Sequence, residues 1–162
     1  MFRGLAEKIM QHRARRELKK IKSAIHFPVQ ASSIQRVLVI LPRDLQLIEP
    51  AHQFVNQLRQ AFPAWHIQMF DVDKLPAEKL NWLKIPDSAY IQELKSQQFD
   101  MVIDLNRHGD WLVTYLAVMS GAPYRVQVEN GDKQFFNIQY NTHQDAPFGG
   151  LIEAFSRLFI RN

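Results

Sequence analysis

The sequence predicts a three-layer α/β domain: a mainly parallel sheet with an antiparallel edge hairpin, helices on both faces, and an added N-terminal amphipathic helix. Two observations predict this fold. Short apolar runs alternate along the chain with segments in which apolar residues recur every three or four positions. The first run, RVLVILP at 36–42, is apolar at nearly every position, which is typical of a strand buried on both faces of a parallel sheet.

The N-terminal segment, residues 1–27, is predicted to form a basic amphipathic helix. Residues 1–24 hold eight Lys and Arg against two acids, a local charge of +6, so the rest of the chain carries −2 of the net +4. Pro28 and the polar run 30–35 predict a linker, 28–35, before a domain that spans 36–162. The apolar stripe of the helix, with a period near 3.6, comprises Phe2, Leu5, Ile9, Ala14, Leu18, Ile21 and Ile25.

The first half of the domain predicts strand, helix, strand, helix and strand. A helix is expected from about Ile48, because apolar residues follow at spacings of three and four up to Phe62, and Pro63 ends it. HIQMF at 66–70 predicts the second strand, and the Pro-punctuated stretch that follows it predicts irregular structure as far as residue 86. A helix over 87–97 is expected to lead into the third strand, at 99–104.

The second half continues the alternation. Asp110 suits the N-cap of a helix that ends near Gly121, and YRVQV at 124–128 predicts the fourth strand. Asn130 and Gly131 are typical of a two-residue hairpin, so residues 134–140 are predicted to return antiparallel. A last helix is expected from about residue 150 to 159. This order is that of a Rossmann-like, three-layer fold.

Several function classes lose support from composition and motifs. The chain has no cysteine, and its six histidines show no ligand spacing, so neither a disulfide nor a metal site is expected. The motifs G-x-G-x-x-G, G-x-x-x-x-G-K-[ST] and G-x-S-x-G are missing, so no nucleotide cofactor or serine hydrolase activity is expected. No run approaches the roughly 18 apolar residues of a membrane span, and no secretory signal is found, so we expect a cytoplasmic protein.

Two polar segments follow predicted strands at their carboxyl ends, where ligands bind in open α/β sheets. Arginine and histidine there suit an anion near a helix N-terminus, and aspartate suits the hydroxyls of a sugar. An ordinary turn, in which Asp104 and Asn106 satisfy backbone amides, explains the same pattern. The candidate ligand-binding residues are Arg43, Asp44, Asp104, Asn106, Arg107 and His108.

The basic helix has three interpretations. It docks its apolar stripe on its own domain or on a second copy, it lies on an anionic membrane surface, or it contacts nucleic acid phosphates. The helix lacks stacking aromatics apart from Phe2, which weakens the third interpretation. The residues expected to meet a membrane or partner are Arg13, Arg15, Arg16, Lys19, Lys20 and Lys22.

Residues 99–128, FDMVIDLNRHGDWLVTYLAVMSGAPYRVQV, resemble a stretch in the N-terminal half of family 9 glycosyltransferases, the ADP-heptose:lipopolysaccharide heptosyltransferases. LRQAFPAWHIQMF at 58–70 is similar to that family's second helix and strand, and the resemblance spans about 36–160. The chain also resembles short single-domain bacterial proteins with this half-fold. The shared pattern, [FY]-D-x-[VI]-[IV]-D-L, a helix and G-A-P-x-R, is matched by Phe99, Asp100, Val102, Ile103, Asp104, Leu105, Gly121, Ala122, Pro123 and Arg125.

The resemblance implies the acceptor-side half of a two-domain glycosyltransferase, whose second domain holds the sugar nucleotide. The family's Gly-Asp pair, which carries the proposed base, falls at Gln46 and Leu47, and spacing favours neither Asp44 nor Glu49 as a substitute. We therefore expect a non-catalytic binding or interaction module of cell-envelope glycan metabolism, at the inner face of the membrane, with a sugar or nucleotide-sugar ligand. The alternative is an acceptor-binding half that needs a partner donor domain.

Overall fold

A computed structural model describes residues 2–21, 25–129, 131–141 and 146–161. It is a mixed α/β structure with two parallel sheets. The helices are α1 (Phe2–Leu18), α2 (Ile48–Ala61), α3 (Ser88–Ser96), α4 (Trp111–Met119) and α5 (Leu151–Leu158). The strands are β1 (Val29–Gln30), β2 (Arg36–Ile40), β3 (His66–Phe70), β4 (Met101–Asp104), β5 (Tyr124–Val128), β6 (Ile138–Tyr140) and β7 (Phe159–Ile160).

The main sheet has the order β3-β2-β4-β5-β6, and every neighbouring pair is parallel. Alternate side chains of the strands enter two separate cores, because successive residues of a strand point to opposite faces. Val37 and Val39 of β2 pack with α2 and α5, whereas Leu38 and Ile40 pack with α1, α3 and α4. The predicted three-layer, mainly parallel, Rossmann-like fold is therefore confirmed.

The predicted antiparallel edge hairpin is wrong. β6 pairs with β5 in parallel, from Val126 opposite Ile138 to Val128 opposite Tyr140. The reason is the burial of two consecutive aromatic residues, Phe135 and Phe136, in the core under α4. Neighbouring residues of a strand cannot both face one core, so this segment crosses the sheet edge as a turn, and the predicted strand 134–140 is shortened to β6.

The N-terminal region is more compact than the sequence indicated. α1 ends at Leu18, and its buried residues are Ala6, Met10, Ala14 and Glu17, whereas Phe2 and Leu5 of the predicted apolar stripe are exposed. The small side chains of Ala6 and Ala14 let α1 approach α4 closely. The segment predicted as a linker, 28–35, contains β1, which pairs with β7, and a 3₁₀ turn at Ala31–Ser33. Among the described residues, no helix is long and apolar enough to cross a bilayer.

Candidate functional site

The strand order of the main sheet reverses between β2 and β4, and the carboxyl ends of these two strands lie side by side. Counted along the chain, the five strands are ordered second, first, third, fourth, fifth, so β2 and β4 are neighbours. The helices that follow them, α2 and α4, lie on opposite faces. In doubly wound sheets a crevice opens at such a point, and ligands bind there. Both polar segments that the sequence indicated start at this crevice.

Asn106 closes the crevice by joining the two strand ends. Its side-chain oxygen accepts a hydrogen bond from the Arg43 backbone N–H at 2.8 Å, and its side-chain nitrogen donates to the Leu41 carbonyl at 3.3 Å. The same nitrogen and the Asn106 backbone N–H both donate to the Asp104 carboxylate, each at 2.9 Å. Asn106 is buried, and its polar atoms are used inside the protein.

Asp104, the last residue of β4, is the most perturbed carboxyl group of the crevice. It is 1% exposed, and besides Asn106 it accepts a hydrogen bond from the Gln127 side-chain nitrogen at 3.2 Å. Burial raises the pKa of Asp104 to about 6 from 3.8, although the hydrogen bonds from Asn106 and Gln127 lower it and the nearby Asp110 raises it slightly. The carboxyl group of Asp104 is therefore costly to ionise, and its burial keeps a ligand from reaching it.

Gln127 lies beside Asp104 on the next strand and carries a buried acceptor. Its side-chain oxygen has no hydrogen-bond partner among the described residues, and the residue is only 2% exposed. Gly131 packs against this amide so closely that a Cβ at position 131 would lie 1.6 Å from the Gln127 oxygen. The Asp104–Gln127 pair is thus held in place by the crossover after β5.

Arg43 and Asp110 form the outer layer of the crevice. The Arg43 guanidinium donates to Asp73 at 3.0 Å and also bonds closely to Asp110. Asp110 is the N-cap of α4, and its other carboxylate oxygen accepts from the backbone N–H of Leu112 at 2.8 Å. The charge of Arg43 and the N-terminus of α4 are therefore already matched by carboxylates of the protein.

The remaining predicted residues are not part of this network. Asp44 is exposed and caps the turn Leu45–Leu47 by accepting from the Gln46 N–H at 3.0 Å. Glu49 is exposed in the first turn of α2 and accepts from the Gln53 side chain at 3.5 Å. Arg107 is half-buried and His108 exposed, and neither side chain makes a hydrogen bond or ion pair in the described part of the chain.

An open groove of about 750 Å³ adjoins the outer layer of the crevice. It runs between the start of α1, the loop 82–84 and the N-terminus of α4. We call it the edge groove, and its lining includes Phe2, Met10, Arg43, Trp82, Asp110 and Trp111. The groove combines aromatic rings with charged groups of both signs, which is the composition of sites for polar organic ligands.

Trp82 is displayed at the groove by a tightly bonded loop. The Asn81 side-chain oxygen accepts from the backbone N–H groups of Leu83 at 2.9 Å and Ile85 at 3.1 Å, and the Asn81 N–H donates to the Ile85 carbonyl at 2.8 Å. Lys84 adopts a left-handed conformation, with φ 63°, to close the turn. Ile85 is fully buried below it, whereas Trp82 is 75% exposed and meets Phe2 edge-on at 6.1 Å.

A model of DUF6913, a family of unknown function, matches residues 7–155. The chain belongs to this family. Neither a curated protein nor a solved structure matches the chain. The DUF6913 match begins within α1 and ends within α5, so it includes the crevice and most of the edge groove but not Phe2.

Arg125, one of the residues that carry the glycosyltransferase resemblance, has internal partners in this DUF6913 chain. It is buried, and its guanidinium donates to the carbonyls of Phe135 at 2.7 Å and Ala122 at 2.8 Å. Its backbone N–H donates to the Asn137 side chain at 2.8 Å. Burial lowers the pKa of Arg125 from its ordinary value. Arg125 therefore anchors the crossover between β5 and β6.

The predicted basic residues of the N-terminal segment are exposed in the DUF6913 chain, and they follow α1 away from the edge groove into the turn after Leu18. They are Arg13, Arg15, Arg16, Lys19 and Lys20. Lys22 lies outside the described residues. No group of three or more His, Asp or Glu side chains that could hold a metal occurs within the described ranges.

Proposed function

We propose that this chain is a binding or interaction module that does not catalyse a reaction by itself, with its ligand in the edge groove. The observation that carries the proposal is that both carboxylates of the crevice are engaged by other groups of the protein. Asp104 is buried and bonded to Asn106 and Gln127, and Asp110 is bonded to Arg43 and the start of α4. A general base must reach a substrate proton, and neither group is free to do so.

A sugar or nucleotide-sugar is the ligand class that we propose for the groove. The exposed face of Trp82 offers a stacking surface, and Trp111 adds a second ring. Arg3 and Lys84 line the same groove and offer donors to a phosphate or hydroxyl group. Together with the resemblance to heptosyltransferases, these contacts support a role in cell-envelope glycan metabolism.

A second candidate is the acceptor-binding half of a glycosyltransferase that needs a partner donor domain. The observation that favours it is the exposure of two carboxylates near the end of β2, Asp44 and Glu49, which a partner chain could approach. Only this candidate requires one of them as a base. Asp44→Ala and Glu49→Ala are expected to leave ligand binding by a module unchanged, within about twofold, whereas a half-enzyme would lose transfer in the presence of its partner.

We also propose that the chain sits at the inner face of a membrane, held by α1. The five described basic residues at positions 13–20, in α1 and the turn that follows it, are exposed and suit anionic lipid headgroups, each contributing about 1 kcal/mol near the surface. The proposed location predicts that changing Arg15, Arg16, Lys19 and Lys20 to Glu releases the protein from anionic vesicles. If α1 instead contacts a protein partner or a second copy of the chain, the wild type should show no detectable binding to anionic vesicles.

Calorimetric titration with ADP, an ADP-sugar and a short lipopolysaccharide-core oligosaccharide tests the ligand site. We expect one of these probes to bind, and we expect Trp82→Ala to weaken that binding about tenfold or more, since the ring supplies the largest exposed stacking surface of the groove. The matched control is Leu45→Ala, which removes a side chain that is 85% exposed and outside the groove. Equal loss in both variants, or binding unaffected by Trp82→Ala, would contradict the groove assignment.

A further inference from the structure

We infer that Phe2, Leu5 and Trp82 form a hydrophobic wedge that inserts into an anionic bilayer, while a basic stripe of α1 lies on the headgroups. The inference rests on the proposed membrane location and adds the surface and orientation of the contact. These three side chains are 66%, 46% and 75% exposed. They belong to two segments that meet at one end of α1, where the rings of Phe2 and Trp82 are in contact.

The basic stripe follows from the helical repeat of α1. Residues three or four apart lie on the same side of a helix, and the side opposite the buried residues Ala6, Met10 and Ala14 begins at Leu5. From there to Arg16 the stripe covers about 17 Å of helix at 1.5 Å per residue, and Lys19 follows in the turn after α1. Its exposed members are Leu5, Lys8, His12, Arg15, Arg16 and Lys19.

The two acids of α1 do not weaken this stripe. Glu7 lies beside the buried face and pairs with Arg3 at 3.4 Å. Glu17 is buried and pairs with Lys95 of α3 at 2.8 Å and with Lys20 at 3.7 Å. Because both carboxylates are matched away from the outer side, the stripe presents only positive or neutral groups, which is complementary to anionic headgroups.

Rigid display of Trp82 distinguishes a wedge from a mobile exposed residue. The backbone of the loop around it is fixed by the Asn81 hydrogen bonds and by the buried Ile85, so the point from which the indole projects is held in place. Trp and Phe partition to the boundary between headgroups and acyl chains, and Lys84 in the same loop can reach a headgroup. An apolar tip beside a basic stripe is the pattern of a peripheral membrane contact.

The usual mode for an amphipathic helix, with its apolar face on the lipid, is not available to α1. That face is occupied by α4. Insertion of the wedge instead places the N-terminal end of α1 at the boundary between the lipid headgroups and the acyl chains. Since Phe2 and Trp82 also line the edge groove, the seated molecule would hold the mouth of the groove at the membrane surface, where a ligand attached to a lipid could enter it directly.

The experiment measures binding of the full chain to phosphatidylcholine vesicles with about 30% phosphatidylglycerol, by co-sedimentation and tryptophan emission. We expect binding, a blue shift of emission, and quenching by lipids brominated on their acyl chains. Trp82→Ala should weaken the partition constant at least about tenfold, whereas Leu45→Ala should leave it unchanged. Trp82→Phe should keep most of the binding and lose the blue shift, because Trp65 is buried and Trp111 half-buried.

Each alternative outcome has a distinct meaning. If the wild type binds but Trp82→Ala binds equally and bromolipids do not quench, the wedge is refuted while the proposed membrane location stands on charge alone. If the wild type does not bind anionic vesicles, both the wedge and the proposed membrane location are overturned. Binding to single-stranded RNA in the same buffer would then assign the basic stripe to nucleic acid. Urea unfolding of each variant verifies that the fold is retained.

Discussion

Replacing Asp104 by Asn should stabilise the protein at neutral pH. Folding raises the pKa of Asp104 from 3.8 to about 6 because the carboxyl group is buried. A tenfold change in proton affinity is worth about 1.4 kcal/mol, so keeping Asp104 ionised in the folded state costs about 3 kcal/mol. Between pH 4 and 6 the folded chain holds a proton that the unfolded chain has released. The contribution of Asp104 to stability therefore falls as pH rises through this window and is constant above it.

Asn at position 104 removes the charge and keeps the shape. Its oxygen can accept both hydrogen bonds from Asn106, and its nitrogen would face Gln127. A half-turn of the Gln127 amide would then direct its oxygen, now unpartnered among the described residues, at that nitrogen. We expect a gain of about 1–3 kcal/mol at pH 8, reduced from the full ionisation cost because the hydrogen bonds to a neutral acceptor are weaker.

Urea unfolding at several pH values between 4 and 8 measures this effect. The stability difference between Asp104→Asn and wild type should be small at pH 4, grow up to about pH 6.5 and stay constant above that value. Asp44→Asn is the matched control, since Asp44 is exposed and should change the profile little. A variant that is less stable than the wild type at pH 8, or a difference that does not depend on pH, would refute the reasoning.

Two further substitutions test the supports of the crevice. Arg125→Lys should cost about 2–4 kcal/mol in urea unfolding, because one ammonium group cannot replace the guanidinium between two carbonyls, whereas Arg107→Ala should change stability by less than about 0.5 kcal/mol. An Arg125→Lys variant as stable as wild type would contradict the anchoring role. Gly131→Ala should cost about 1–3 kcal/mol by displacing Gln127, whereas Gly109→Ala, with open space around it, should be nearly neutral. Equal effects of the two alanines on the melting temperature would argue against the close packing at Gly131.

The parallel sheet could be predicted from the sequence because burial on both faces leaves a local signal. The bounds of β3 and β5 agree with the predicted runs at 66–70 and 124–128, and α2 begins at Ile48 as its spacing indicated. The edge hairpin failed for a non-local reason. Asn-Gly is a strong local turn signal, but the burial of Phe135 and Phe136 under α4 outweighed it.

The candidate site was predictable only in part. Arg43, Asp104 and Asn106 follow neighbouring parallel strands, so their meeting at one sheet edge follows from topology. The edge groove does not, because its walls come from three distant segments and depend on how α1 docks on α4. No periodic pattern of residues points to Trp82, because its exposure is set by the loop that Asn81 closes.

The role of Arg43 also depended on residues that no pattern connects. Asp73 lies in the stretch predicted as irregular, within a 3₁₀ turn at Val72–Lys74, and was not a candidate partner. Asp110 was predicted as the cap of α4, and the structure adds its pairing with Arg43. Asp73 and Asp110 therefore pair with the Arg43 guanidinium, the cation that the sequence suggested as a phosphate ligand.

Amide NMR titration of the full chain with an ADP-sugar and an acceptor oligosaccharide, with the products followed in the same tube, tests most directly whether the groove binds without turnover. We predict shifts confined to the groove segments 3–10, 82–84 and 109–112 together with residue 43, and no transfer or hydrolysis product. Product formation, shifts centred on residues 44–49, or no response at millimolar ligand would contradict a non-catalytic ligand site at this edge.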